Sequence, residues 1–340
     1  MQTSVINLIR EGLLEKKETL QNWQLATPET EKEIQLGPAE EAAVQAELDV
    51  IDASLEKIAT GEFGICEVCH EQVDDELLQM DYTACICLSH YSESEIRELE
   101  SELELSQTVQ RALLPARVPS IPGYDVAAFS RPAQIVTGDY FDFLQFEDGT
   151  QGFVIGDVSG HGVSAGMLMA SLQTVFHTLA PEVDSTVDVL KRINRLYVHN
   201  INFTTFVTLF FARLDPQTRL LSYASAGHNP PLLYRRSTKE SIWLKPTGPA
   251  IGLVDDFKFL CNDVELNAGD TLLLYTDGIV EALNPGQNEQ FGYDRLLQVV
   301  QQNAGLSANE LVQKLRQALN DFTQGSLLAD DITLVVCQVK

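Results

Sequence analysis

Two sets of residues in this chain are of types that do chemistry. The first is aspartate. V-T-G-D-Y-F-D (136–142), G-D-V-S-G-H-G (156–162), Y-T-D-G-I-V-E (275–281) and A-D-D-I-T-L-V-V (329–336) each set an Asp at a strand end or turn. A lone Asp-Gly is ordinarily a turn. Four such motifs in one region mean more, because carboxylates gathered at the ends of packed strands repel each other unless cations lie between them. An all-oxygen donor set suits hard cations such as Mg²⁺ and Mn²⁺. The second set is sulfur and imidazole. Cys66 and Cys69 form a C-x-x-C, and Cys87 and His90 form a C-x-x-H after a gap of seventeen residues. Two short-spaced pairs fit one tetrahedral zinc, with Cys85 and His70 as alternative third and fourth ligands. Cys261 and Cys337 lie in strand-like contexts and are expected to be buried as small hydrophobes.

The elements that must hold these residues fall into two textures. Residues 3–25 and 39–59 have apolar residues at helical spacing and are separated by breakers at 26–30 and 36–38, which predicts a helical hairpin. Residues 91–114 return to helix with a sparse Ile96, Leu99, Leu103 and Leu113 stripe, ended by Pro115, Pro119 and Pro122. Beyond that, strands are expected over 124–129, 140–146, 152–158, 205–214, 220–226, 270–276 and 331–339. Helices are expected over 162–180, 185–200, 293–303 and 307–323. This predicts an α+β fold, a pair of sheets with helical layers outside. The expected domains are 1–90 (helical hairpin plus zinc finger), 91–115 (linker helix) and 116–340 (catalytic).

Charge separates the same regions. The chain has 340 residues, 23 basic and 49 acidic, for a net charge of −26. Residues 1–106 hold 25 acidic and 6 basic residues, a net of −19, and the remainder has a net of −7. Such acidity argues against a nucleic-acid or anionic-membrane partner. No run approaches the roughly 18 apolar residues of a membrane span. No secretory signal follows Met1, so a cytoplasmic, reducing location is expected, with thiols free for metal.

Residues 107–340 resemble the SpoIIE-type, RsbU-like branch of the metal-dependent (2C-type, PPM) protein phosphatases. The resemblance rests on the four Asp motifs in order, together with V-Q-R-A-L-L-P (109–115), S-R-P-A (130–133), A-G-H-N-P-P (226–231) and G-P-A-I-G-L (248–253). Thr137 stands where that family commonly has a second Gly. The resemblance implies a β-sandwich flanked by helices (αββα) with a two-metal centre at one end. Asp139, Asp157, the Val158 carbonyl, Asp277 and Asp330 would hold Mn²⁺ or Mg²⁺, two per catalytic site. Asp331 would either join them or orient its neighbour, and Asp157 and Asp277 would be the residues catalysis depends on. It further implies that two cations about 3.5–4 Å apart activate a water for in-line attack on phosphorus. The substrate implied is a phosphoserine or phosphothreonine protein, a STAS-like anti-sigma-factor antagonist in bacterial partner switching. A homodimer through the linker helix is also implied. His161 and His228 are read as supporting or turn residues and Arg131 as structural. Ser159 and Ser164 lack the G-x-S-x-G elbow of a serine hydrolase.

Residues 39–90 resemble the DksA/TraR zinc-finger family, most clearly over L-E-K-I-A-T-G-E-F-G-I-C-E-V-C (55–69) and the later C-x-x-H. His90 stands where that family usually has Cys. The hairpin tip lacks Asp-x-x-Asp-Ala, so polymerase binding is not implied. The module is expected to bind one structural zinc and to regulate the catalytic region. The alternative function is a catalytically weak, phosphoprotein-binding zinc-finger regulatory protein.

Overall fold

The structure is a computed structural model. It describes residues 41–73, 78, 82–160, 162–183, 185–200, 206–285, 289–326 and 328–340, with 6, 9–10, 12–14, 17–18 and 21. The chain divides into two compact units. One runs to Leu103, and the other is built from Glu104–Val198 and Thr205–Lys340.

In the first unit, helix α1 spans Glu41–Thr60. Most of the helix expected over 3–25 and the breakers at 26–38 lie outside the described residues. Leu13 is nonetheless buried, and Lys17 pairs with Asp52 of α1. Gly61 and Gly64 have φ of 77° and 70°, where a side chain is disfavoured, and so turn the chain out of α1. The next segment packs a small cluster of Phe63, Cys66, Val73, Leu78 and Cys87. Helix α2, Glu93–Leu113, follows, and from Glu104 it belongs to the second unit.

The second unit is a sandwich of two antiparallel sheets. Its elements in order are β1 (Tyr124–Arg131), β2 (Asp139–Gln145), β3 (Gln151–Val158), α3 (Gly162–Leu179), α4 (Thr186–Asn200), β4 (Val207–Leu214), β5 (Leu220–Ala226), β6 (Leu232–Arg235), β7 (Glu240–Trp243), β8 (Asn262–Glu265), β9 (Thr271–Tyr275), the one-turn helix α5 (Asp277–Val280), the short pair β10 (Leu283–Asn284) and β11 (Glu289–Gln290), α6 (Gly292–Asn303), α7 (Ala308–Thr323) and β12 (Ile332–Val339). One sheet has the order β1-β12-β9-β6-β7 and the other β2-β3-β4-β5-β8. This is the α+β class expected from the sequence.

Strand periodicity explains the layers. In β12, Val335, Cys337 and Val339 point into the core between the sheets, where they meet Phe153, Ile155, Phe210 and Leu274. The alternate residues Leu334 and Val336 face the other way. They pack with Leu296 and Val300 of α6 and Leu311, Leu315 and Leu319 of α7. On the second sheet, Phe176 of α3 meets Phe211 of β4 edge-to-face, with ring centroids 4.9 Å apart. Helix α3 and the 3₁₀ turn after it, Gly162–Glu182, form the one stretch among the described residues long and apolar enough to cross a membrane. Its Met169, Leu172 and Phe176 are fully buried in this core instead.

Sequence periodicity missed β6, β7 and β8, because four-residue strands carry too few alternations to register. Cys261 departs from its expected burial and is exposed, since it precedes the edge strand β8, whereas Cys337 is buried between the sheets.

Candidate active site and metal centres

Antiparallel pairing brings the aspartates to one end of the sandwich. In the second sheet, Asp139 opens β2 directly opposite Asp157 near the end of β3. In the first sheet, β9 ends where its neighbour β12 begins, with Tyr275 opposite Leu334. Asp277, just after β9, and Asp330 and Asp331, just before β12, therefore emerge together.

The two sheets are tied at this end by threonines. Asp139 is buried, and its Oδ2 accepts hydrogen bonds from Thr276 Oγ1 at 2.8 Å and Thr333 Oγ1 at 2.7 Å. Burial, and next the Asp157 charge, still hold the Asp139 carboxyl well above the usual carboxylate range. Asp157 is pushed up to about 8 by burial, then by Asp277, Asp330, Asp331 and Glu281. Asp277 is raised by burial and by Glu281. Three carboxyls are thus raised, by burial first and by neighbouring carboxylates second.

Asp331 is occupied differently. Its Oδ1 accepts from the Ala133 amide at 2.7 Å, and its Oδ2 accepts from Thr137 Oγ1 and the Gly138 amide, both at 2.7 Å. It anchors the loop leading into Asp139. Thr137 Oγ1 also accepts from the Asp139 amide at 3.0 Å. The threonine in place of glycine therefore links Asp331 to Asp139. Gln110 of α2 grips the same loop from behind. Its Nε2 donates to the Thr137 carbonyl at 2.7 Å, and its Oε1 accepts from the Thr137 amide at 2.8 Å. The Val158 amide donates to the Gly138 carbonyl at 3.3 Å. A Cβ on Gly138 would stand 3.1 Å from the Val158 carbonyl oxygen and 3.6 Å from Asp157 Oδ1, so glycine keeps that approach open.

The tightest approach is at Gly278, where an added Cβ would fall 2.0 Å from the Asp331 carbonyl oxygen. No side chain fits, and the backbone of α5 or of 330–331 would have to move. Gly278→Ala is therefore expected to lower kcat by about 10- to 100-fold, the range for displaced metal-supporting groups. Turnover of a phosphate ester at saturating Mn²⁺ checks this, and an unchanged kcat would contradict it.

His228 is buried, its Nδ1 lies 2.8 Å from Thr208 Oγ1, and burial pushes its pKa down to about 4. It is thus a neutral packing residue beneath Asp157, whose strand partner is Thr208. His161 lies outside the described residues. Arg131 ends β1, exposed and opposite Ile332 of β12.

Thr137, Thr276, Thr333, Gln110, Gly278 and Glu281 escaped the sequence reading as functional residues. Thr276, Gly278, Glu281 and Thr333 sit inside the same motifs as the aspartates. Gln110 lies inside V-Q-R-A-L-L-P, but its role depends on a contact 27 residues away.

In the first unit, the ligand atoms of Cys66, Cys69, Cys87 and His90 all lie within 4.8 Å of one another. Cys85 and His70 are not in this group. The amides of Val68 and Cys87 each donate to Cys66 Sγ at 3.4 Å. Burial raises the Cys66 thiol, but amide hydrogen bonds from Cys69, Cys87 and Val68 outweigh it and bring it to about 6. Cys87 is pushed up to about 12 by burial and by the neighbouring Cys66 and Cys69.

Comparison with known proteins places this geometry. The family model for stage II sporulation protein E (SpoIIE) matches residues 147–340. This chain belongs to the SpoIIE family. It is 30% identical over 244 residues to phosphoserine phosphatase RsbU of Bacillus subtilis (strain 168), an alignment covering 72% of each chain. Among solved structures, the SiaA-PP2C domain of Pseudomonas aeruginosa matches with a TM-score of 0.66 at 20% identity, over 73% of this chain and all of that one. The RsbU and RsbW domains of Rv1364c from Mycobacterium tuberculosis match with a TM-score of 0.56 at 28% identity, over 65% of this chain and 63% of that one. This SpoIIE-family chain has the PPM fold and is a serine/threonine protein phosphatase.

Proposed function

We propose that the chain removes phosphate from phosphoserine or phosphothreonine on a protein, through a two-metal centre held by Asp139, Asp157, the Val158 carbonyl, Asp277 and Asp330. The observation that carries this is the convergence of four strand-end carboxylates, three of them with pKa values raised by burial and mutual repulsion. A donor set of oxygens only, in that state, fits Mn²⁺ or Mg²⁺. Bound there, such ions lower the pKa of water toward neutrality and offset the charge of the phosphoryl oxygens. The protein's own part is to fix the carboxylates. Thr276 and Thr333 hold Asp139, and Asp331 orients the loop from Ala133 to Gly138 rather than serving as a ligand.

The substrate proposed is a phosphorylated, STAS-like anti-sigma-factor antagonist, which the similarity to RsbU supports. Incubation of a phosphorylated STAS-domain protein with the chain and Mn²⁺ should release phosphate. Hydrolysis of a phosphoserine peptide without any from the STAS protein would contradict this substrate.

Residues 1–90 are proposed to form a DksA/TraR-like module holding one structural zinc through Cys66, Cys69, Cys87 and His90, in a cytoplasmic setting that keeps the thiols free. Residues 91–115 would link it to the phosphatase domain. On α2, Leu105 and Val109 lie one turn apart, 64% and 56% exposed, which supports a homodimer contact there. Sedimentation of Leu105→Glu as the same species as wild type would contradict that contact.

A further inference from the structure

A groove of about 510 Å³ lies on the outer face of the first sheet, between α7 and the start of β12. That size falls in the ordinary range of ligand sites, about 300–1,000 Å³. Ile279, Leu319 and Ile332 close its bottom but are themselves buried, and the apolar surface it presents comes from the half-buried Phe129 and Leu328. Two guanidinium groups stand on it, those of Arg131 and Arg316. Arg131 lies opposite Ile332 in the β1–β12 register. The Arg316 guanidinium stacks 3.9 Å over the Phe129 ring, and its Nη1 donates to Gln313 Oε1 at 3.1 Å. Stacking fixes the plane of that group and leaves N–H edges for an incoming oxygen anion.

The charge of the groove runs against the rest of the molecule. The chain carries a net charge of −26, yet among the described residues no carboxylate lines the groove. Among the described residues neither arginine is in an ion pair. One end of the groove also adjoins the aspartate cluster. Ile279 lies two residues beyond Asp277 in α5, and Ile332 directly follows Asp331.

We propose, building on the phosphatase assignment above, that this groove receives the segment flanking the phosphorylated residue of the protein substrate, and that the segment it selects is both apolar and acidic. The apolar side chains would cover Phe129 and Leu328, and a carboxylate would meet Arg131 and Arg316. Elsewhere the molecule's charge repels an acidic chain, so this surface would also orient its approach.

Synthetic phosphoserine peptides test the proposal. One pair carries a Leu/Glu-rich flank, N-terminal in one peptide and C-terminal in the other. A control pair has the flank replaced by Ser and Lys. With Mn²⁺ present, one of the Leu/Glu peptides should have a kcat/KM about tenfold above its control. Arg131→Glu and Arg316→Glu should abolish that preference, mainly through KM, and the milder Arg316→Gln should reduce it. Hydrolysis of p-nitrophenyl phosphate, which has no flank, should be unchanged in all three variants. Equal kcat/KM for all peptides, or a preference that survives both charge reversals, would overturn the groove assignment. Failure to hydrolyse p-nitrophenyl phosphate in the wild type would instead overturn the phosphatase assignment beneath it.

Discussion

Asp157→Asn is expected to lower metal-dependent phosphate release by a factor on the order of 10³ or more, because it removes the carboxylate central to the proposed metal centre. The same change should stabilise the metal-free chain at neutral pH. Burial first, then Asp277, Asp330, Asp331 and Glu281, hold the Asp157 carboxyl at about 8. In the unfolded chain an aspartate titrates near ~3.9. Between these values the folded, metal-free chain binds more protons than the unfolded one, so its stability falls as pH rises through the window from about 4 to about 8. Asparagine has no such proton, and the variant should lose most of that slope. Thermal unfolding in the presence of chelator, followed across that window, checks the sign. A wild-type chain that becomes more stable as pH rises through it would contradict the assigned environment. Metal binding must displace the Asp157 proton, so Mn²⁺ affinity should climb toward pH ~8.

The second large effect concerns the first unit. With zinc held as proposed, Cys66→Ser should lower the zinc content from about one per chain to none and open the segment around Cys66 to proteolysis. Cys66 is fully buried in a cluster whose other buried members among the described residues are Phe63, Val73, Leu78 and Cys87. Such a core is too small to offset the entropy of ordering the segment, and structural zinc in comparable modules contributes roughly 10–16 kcal/mol of apparent binding free energy. The amides of Val68 and Cys87 that point at Cys66 Sγ would lose a thiolate acceptor as well. Cys85→Ser is the control and should keep the metal. Elemental analysis and limited proteolysis read both outcomes. Zinc retained by Cys66→Ser would contradict the ligand set.

Much of this was legible in the sequence because the informative residues are periodic or sit in short motifs. The alternation of β12 separates Val335 and Cys337 from Leu334 and Val336, so both of its faces can be read from the residue types alone. The Asp motifs carry their own strand ends, which is why Asp139, Asp157, Asp277 and Asp330 meet at one end of the sandwich. What stayed hidden depends on contacts between distant segments. Nothing in E-L-S-Q-T-V-Q marks Gln110 as the group that grips Thr137, and nothing in S-R-P-A shows that the Ala133 amide binds Asp331. Thr137 looked like a minor departure from a glycine, whereas its hydroxyl joins Asp331 to the Asp139 backbone. The short strands β6 to β8 were missed for a different reason, since edge and near-edge strands of four residues need little alternation to form.

As proposed, these aspartates serve only to hold divalent cations. The most direct measurement is phosphate release from a phosphoserine peptide by the chain after exhaustive chelation, followed as Mn²⁺ is added back. The stripped chain should release none, and activity should recover and saturate with two Mn²⁺ bound per catalytic unit. Release by the stripped chain at the full rate, with no response to added Mn²⁺ or Mg²⁺, would contradict that role.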